Sequence, residues 1–383
     1  MAQDSFTEVT GESWLSRIGG SVKGVVFGLL LVAAAFPLLF WNEGRSVKRY
    51  KTLKEGGGAV VSAASERVDA ANEGRLVHVT GRAETQATLT DGAFGVAAPA
   101  IKLRRSVEMY QWEERSQSKT REKVGGGTET VKTYTYSKAW SGRPVRSDEF
   151  KQPSGHQNPG AFPYESEVQT ADNVTLGAFT LSASLVGKIG TFEPLAVSAE
   201  ALLPELQKKA KPHGGGFYLG ADPASPQVGD VRVTFQVARP GDVSVIAKQT
   251  GQTFAPYAAR AGGTLELLQP GVCTAAAMIE KAQQENRILT WLLRLGGFLL
   301  MLIGFNVFFK PLSVLASVLP LLGRLVAAGT GLVAFLLAAA LSLATIAAAW
   351  IACRPLLGAA LLAAAVLLAA AFRGKMKPRA ENP

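Results

Sequence analysis

The sequence predicts an α+β integral membrane protein: four transmembrane helices, with a large strand-rich extramembrane domain between helices 1 and 2. Three observations predict it. Four stretches are nearly free of charge, at 24–41, 291–309, 326–352 and 356–372. The long segment between the first two carries several runs of period two, the signature of strands. The formal charge of +10 is uneven: residues 42–290 hold 30 Lys+Arg against 26 Asp+Glu, leaving 10 against 4 for the rest, mostly beside the apolar runs. Basic flanks of this kind suit contact with anionic lipid, and no long basic stripe points to nucleic acid.

Each apolar stretch is about long enough to cross a hydrocarbon core of roughly 30 Å at 1.5 Å per residue. The alternative, long core helices of a soluble protein, needs a polar face. "GLVAFLLAAALSLATIAAAWIA" at 331–352 has none. A cleaved signal peptide is a poor fit for 24–41, because the run is too long and no small-x-small site follows it. The layout is then an N-terminal segment 1–23, helix 1 at 24–41, a domain at 42–290, helix 2 at 291–309 and a short loop at 310–325. Helix 3 at 326–352, a tight turn at 353–355, helix 4 at 356–372 and a basic tail at 373–383 complete it.

Arg17 and Lys23, Lys310 and Arg324, and Arg373, Lys375, Lys377 and Arg379 favour cytoplasmic termini and a periplasmic or lumenal domain. The cluster Arg45, Lys48, Arg49, Lys51 and Lys54 after helix 1 argues the other way and is outvoted. Trp41, Trp291 and Trp350 then form an aromatic belt at one interface. The two cysteines, Cys273 and Cys353, leave the domain a single thiol, so cysteine usage reports no compartment.

Within the domain, "RLVHVTGRA", "VEMYQWEERS", "ETVKTYTYSKAW", "DVRVTFQVA" and "DVSVIAKQT" read as strands. "IKLRRS" before the second of these reads as a dibasic loop. "VGGGT" is a hairpin tip, with Gly125 to Gly127 free to take positive φ, and "ARPGD" joins the last pair in the same way. Helical signals are "SAEALLPELQKK" and "TAAAMIEKAQQENRILTWLL", the latter running unbroken into helix 2. On the hairpin, Tyr110 and Trp112 face Tyr134, Tyr136 or Trp140. Two uses follow: a half-buried sheet face, or an exposed aromatic strip for self-association or for lying on the bilayer.

Chemistry is sparse. His78, His156 and His213 are scattered without metal-ligand spacing, and no nucleophile elbow or phosphate loop occurs. The reading is therefore no enzyme, no cofactor and no metal. The spans contain no acidic residue, and Arg294, one turn inside helix 2, snorkels to the interface. Polar lining for a pore is limited to Ser342, Thr345, Thr330 and Asn306. Gly20, Gly24 and Gly28 recur every fourth residue, the spacing that lets helices approach closely in lipid, within or between chains.

"NEGR" after the first span, "EGRLVHVTG", "KLRRSVEMYQWEE", "GHQNP", "VGDVRVTF" and "CRPL" between the last spans carry a resemblance to the transmembrane protein 43 (LUMA) family. It runs from about residue 14 to 372. The resemblance implies one span, a large lumenal or periplasm-facing domain and three closely spaced spans. Animal members reside in the endoplasmic reticulum and inner nuclear membrane, self-associate, and organise membrane protein complexes with emerin and lamins among their partners. The short connections and alanine-rich composition here resemble a bacterial relative, in an inner membrane, to which nuclear partners do not carry over. What transfers is a homo-oligomeric scaffold whose partners are membrane lipids and other membrane proteins. Two rivals stand beside it: a subunit of an oligomeric channel, and a membrane-anchored hydrolase, which would need its three histidines clustered.

Overall fold

A computed structural model describes residues 4–353, and they divide into two compact units. One comprises residues 4–10, 52–119 and 130–281; the other comprises 11–51, 120–129 and 282–353. The first is strand-rich and the second is built on helices.

Three long helices are apolar and long enough to cross a membrane: α1, Trp14–Ala59; α2, Ala275–Ala316; and α3, Pro320–Cys353. All three run past the expected span limits. The helical run from Thr274 into helix 2 is continuous, as its lack of breakers requires. The fourth expected span, 356–372, lies outside the described residues, as do the tail and most of the tight turn.

The strand-rich unit holds two main sheets. We label its principal strands β1, Ser5–Glu12; β2, Leu76–Glu84; β3, Lys102–Glu122; β4, Thr128–Ser141; β5, Val231–Ala238; and β6, Gly241–Thr250. The eight-stranded sheet runs β1-β4-β3-β5 and continues through Gly216–Leu219 to Ala210–His213. Its best alternation is on β5: Val231, Val233, Phe235 and Val237 are buried while Arg232, Thr234 and Gln236 face outward. With Phe94, Leu103, Met109 and Phe217 they form one apolar core. The seven-stranded sheet centres on β6, paired antiparallel to β2 with Val245 opposite Val79, over a second core of Val77, Leu176, Phe179 and Phe254.

Four expectations change here. "ARPGD" is not a hairpin tip, because β5 belongs to the first sheet and β6 to the second; the short Arg239–Pro240 link carries the chain from one sheet to the other. "SAEALLPELQKK" yields only a 3-10 turn and the single helical turn Pro204–Gln207, since Pro204 can start a helix but not continue one. "KLRRS" is not a loop. It begins β3, and Lys102 and Arg105 are buried because each finds acceptors: Lys102 Nζ donates to the Gly187 and Ile189 carbonyls, and Arg105 pairs with Asp91 and Glu167.

The fourth change concerns the N-terminus. Residues 5–10, expected across the membrane from the domain, are instead an edge strand of its sheet beside β4. Glu8 pairs with Lys151, Tyr134 donates to Glu8, and Asp4 pairs with His156 at 2.8 Å. In the helical unit Arg17, expected on the cytoplasmic side, pairs with Glu122 and donates to the Gly126 carbonyl. Contacts this short place the N-terminal segment beside the β3–β4 hairpin, not a bilayer's thickness of roughly 30 Å away. The hairpin tip itself is as expected: Gly125 and Gly126 take φ of 92° and 80°, a region closed to most side chains.

Candidate functional site: a polar layer across three helices

The residues singled out as association candidates fall into two groups. On α1, Gly28 is a helix-crossing point within the chain: a methyl there would stand 2.6 Å from the Gly304 carbonyl oxygen on α2. Gly304 in turn leaves room for Val32, and Gly297 leaves room for Leu39. A methyl at Gly24 would stand 3.3 Å from Val307, whereas one at Gly20 would meet nothing within 4 Å. The glycine face therefore joins α1 to α2, and Gly297 and Gly304, which complete it, lacked the every-fourth-residue signal of the first helix.

The aromatic group packs on its own sheet. Tyr110 meets Trp140 at 5.3 Å, Tyr136 stacks on His156 at 4.0 Å, and Trp112 meets the same imidazole edge-on at 4.7 Å. Tyr134 and Tyr136 are buried, and Tyr110, Trp112 and Trp140 are half-buried. Burial, then the bond from its hydroxyl to Glu114, push Tyr136 up to about 12. These rings form a packed sheet face rather than an open strip. His78 bonds the Cys273 carbonyl, His156 bonds Asp4, and His213 lies against Tyr218, so each histidine has separate neighbours. Among the described residues no group of three or more His, Cys, Asp or Glu is placed to hold a metal ion.

The side chains that do converge lie where α1, α2 and α3 meet, just beyond the apolar stretch of α1. Glu43 is almost fully buried, with 2% of its side chain exposed, and both carboxylate oxygens are occupied. Arg294 donates from Nε to Oε1 at 2.6 Å and from Nη2 to Oε2 at 2.8 Å, and the Trp350 indole N–H donates to Oε2 at 2.7 Å. One carboxylate thus ties all three helices. Arg294 does not snorkel; its guanidinium also lies over the Trp291 ring at 4.8 Å and the Trp350 ring at 6.0 Å.

The layer continues on the residues beside Glu43. Asn42 donates to the Thr290 carbonyl at 3.0 Å, and Arg45 donates to Asn286, Asn42 and Thr290 at 3.0–3.1 Å. Asn286 donates to the Ser46 carbonyl, and the Thr290 hydroxyl to the Asn286 carbonyl at 2.6 Å. Paired and bonded charges of this kind survive burial; a lone one does not. Trp41, Trp291 and Trp350 all stand at this level, next to Asn42, Thr290 and Glu43 respectively. Sequence reading missed the pairing because Glu43 lies just past the apolar run and its partner is 251 residues away.

Three of the polar groups considered for a pore bond backbone carbonyls of their own helices. Thr330 bonds the Val326 carbonyl, Thr345 the Leu341 carbonyl, and Asn306 the Leu302 carbonyl. Beside the polar layer, an open groove of about 1120 Å³ runs between α1 and α3.

A family model described as Transmembrane protein 43 matches residues 109–355. The chain is 38% identical over 360 residues to Transmembrane protein 43 of Rattus norvegicus, covering 90% of this chain and 88% of that one. The human protein of that name is 37% identical over 90% of this chain and 88% of its own length. The Drosophila melanogaster homolog is 34% identical over 86% of this chain and 89% of its own. No solved structure matches.

Proposed function

The chain belongs to the transmembrane protein 43 family, and on that premise we propose that it is a non-enzymatic membrane scaffold, one that self-associates and gathers lipids or other membrane proteins into a patch. The observation that supports this reading is the way the helical unit uses its polar groups. Glu43, Arg294 and Trp350 turn inward and fasten three helices to one another. The outward faces stay apolar, with Leu292, Leu295, Leu299 and Ile303 exposed on α2 and Leu325, Leu332, Leu336 and Leu343 on α3. A fixed platform with broad apolar flanks suits lateral association, where close packing and interhelical bonds supply the attraction. As part of the proposal the membrane is a bacterial inner membrane, with the strand-rich unit outside the cytoplasm.

The test is the mass of the full chain in lipid nanodiscs and in detergent across a wide concentration range. The scaffold reading expects a defined oligomer that persists on dilution. A strict monomer at every concentration contradicts it.

A further inference from the structure

The groove between α1 and α3 has a graded lining. On α1, Phe36, Phe40, Gly44 and Lys48 follow one another at four-residue steps, so one helical face passes from aromatic through an opening to a cation. Pro37, Trp41 and Arg45 form the neighbouring row. Facing them on α3 are Leu341, Ala344, Thr345 and Ala348, of which the last three are small and leave the groove wide. The cations lie beyond Trp41, at the level of the polar layer, and the apolar floor lies on the hydrocarbon side of it.

Arg45 adds an independent sign. Its two terminal nitrogens are engaged by Asn286, Asn42 and Thr290, yet its Nε–H is buried and finds no acceptor among the described residues. What Arg45 offers the groove is its charge, fixed at the groove head by those bonds, and phosphate is the anion that a guanidinium matches best.

We propose that this groove is a binding site for one anionic membrane phospholipid, its phosphate held by Arg45 and Lys48 and its acyl chain laid along Phe36, Phe40, Leu341 and Ala344. The assignment rests on the helical unit lying among lipids, as the scaffold reading requires, but not on self-association. Charge complementarity selects the head group and the apolar floor selects a chain, so a free phosphate meets only half of the site.

Native mass spectrometry of the full chain, equilibrated with phosphatidylglycerol or phosphatidylcholine in mixed micelles, tests it. The wild type retains phosphatidylglycerol in preference, by several-fold. Lys48→Gln reduces that preference by about fivefold, the worth of one basic residue beside anionic lipid. Ala344→Phe, which fills an exposed part of the floor without touching either cation, abolishes retention of both lipids while thermal unfolding stays that of the wild type. Equal retention of the two lipids by the wild type overturns the site, as does an Ala344→Phe chain that still holds phosphatidylglycerol. Quantitative disulfide formation between Phe40→Cys and Leu361→Cys also overturns it, by giving the groove to the chain's own C-terminal segment. Oligomer mass is read in the same spectra, so loss of the lipid site and loss of self-association are separate outcomes.

Discussion

The two units solve the burial problem in opposite ways. In the strand-rich unit the large side chains point inward: Phe94, Phe217 and Phe235 fill one core and Phe179 and Phe254 the other. In the helical unit the inward core is small, with Val32, Ala35, Leu39, Met301 and Ala338, while Leu30, Leu292, Leu332 and Leu343 face out. Water drives the first arrangement. Lipid supplies no such drive between helices, so the second unit is held by close backbone approach at Gly28 and Gly304 and by the Glu43 layer. Both units bury an ion pair, Asp91 with Arg105 in one and Glu43 with Arg294 in the other.

That contrast can be broken most sharply at the charges. Glu43→Gln leaves Arg294 without its counter-charge and is expected to cost about 3–5 kcal/mol, read as an early loss of helical-unit cooperativity in detergent melts. Asp91→Asn is expected to cost the strand-rich unit less, because Arg105 keeps its pair with Glu167. Next come the apolar groups. Phe235→Ala should cost about 3–5 kcal/mol by chemical unfolding, because it empties a packed core. Leu336→Ala, on an outward face of α3, should fall within about 0.5 kcal/mol of the wild type. Equal costs for the two would remove the distinction between the units.

The glycines sharpen it further. Gly28→Ala presses a methyl on the Gly304 carbonyl and is expected to cost about 1–3 kcal/mol. Gly20→Ala meets nothing and should stabilise α1 by up to about 1 kcal/mol. The smallest effect is in acid. Burial by itself would raise the Glu266 carboxyl, but the Lys188 ammonium and the Ser184 and Ser182 hydroxyls overcome it and hold the group below its ordinary range. A carboxylate depressed in the folded state adds stability above its unfolded value of about 4.3, and that stability fades as pH falls through the folded value. Glu266→Gln should therefore lower strand-unit stability at neutral pH and flatten its decline in acid, by urea titration at a series of pH values.

Legibility followed the range of the interaction. The run at 230–238 declared itself as a strand because burial alternates locally, the run at 242–250 because it is rich in β-branched residues, and the Gly125–Gly126 tip because positive φ is a single-residue property. The first three apolar stretches were equally plain. What sequence concealed depended on distant partners. Lys102 and Arg105 look like a loop until Gly187, Ile189, Asp91 and Glu167 are seen to receive them. Residues 5–12, dominated by polar and charged groups, gain strand character only from the edge of β4. Arg294 suggested a side chain reaching for the interface, because an acid on another helix cannot be paired from one sequence.

The central claim is that buried polar bonding, not apolar area, holds the three helices together. A double-mutant cycle on Glu43→Gln and Arg294→Met in lipid bicelles, read by reversible steric trapping or thermal unfolding, tests it most directly. The account predicts a coupling of at least about 2 kcal/mol, with the double variant more stable than Glu43→Gln alone. Costs that add to within about 0.5 kcal/mol would contradict it.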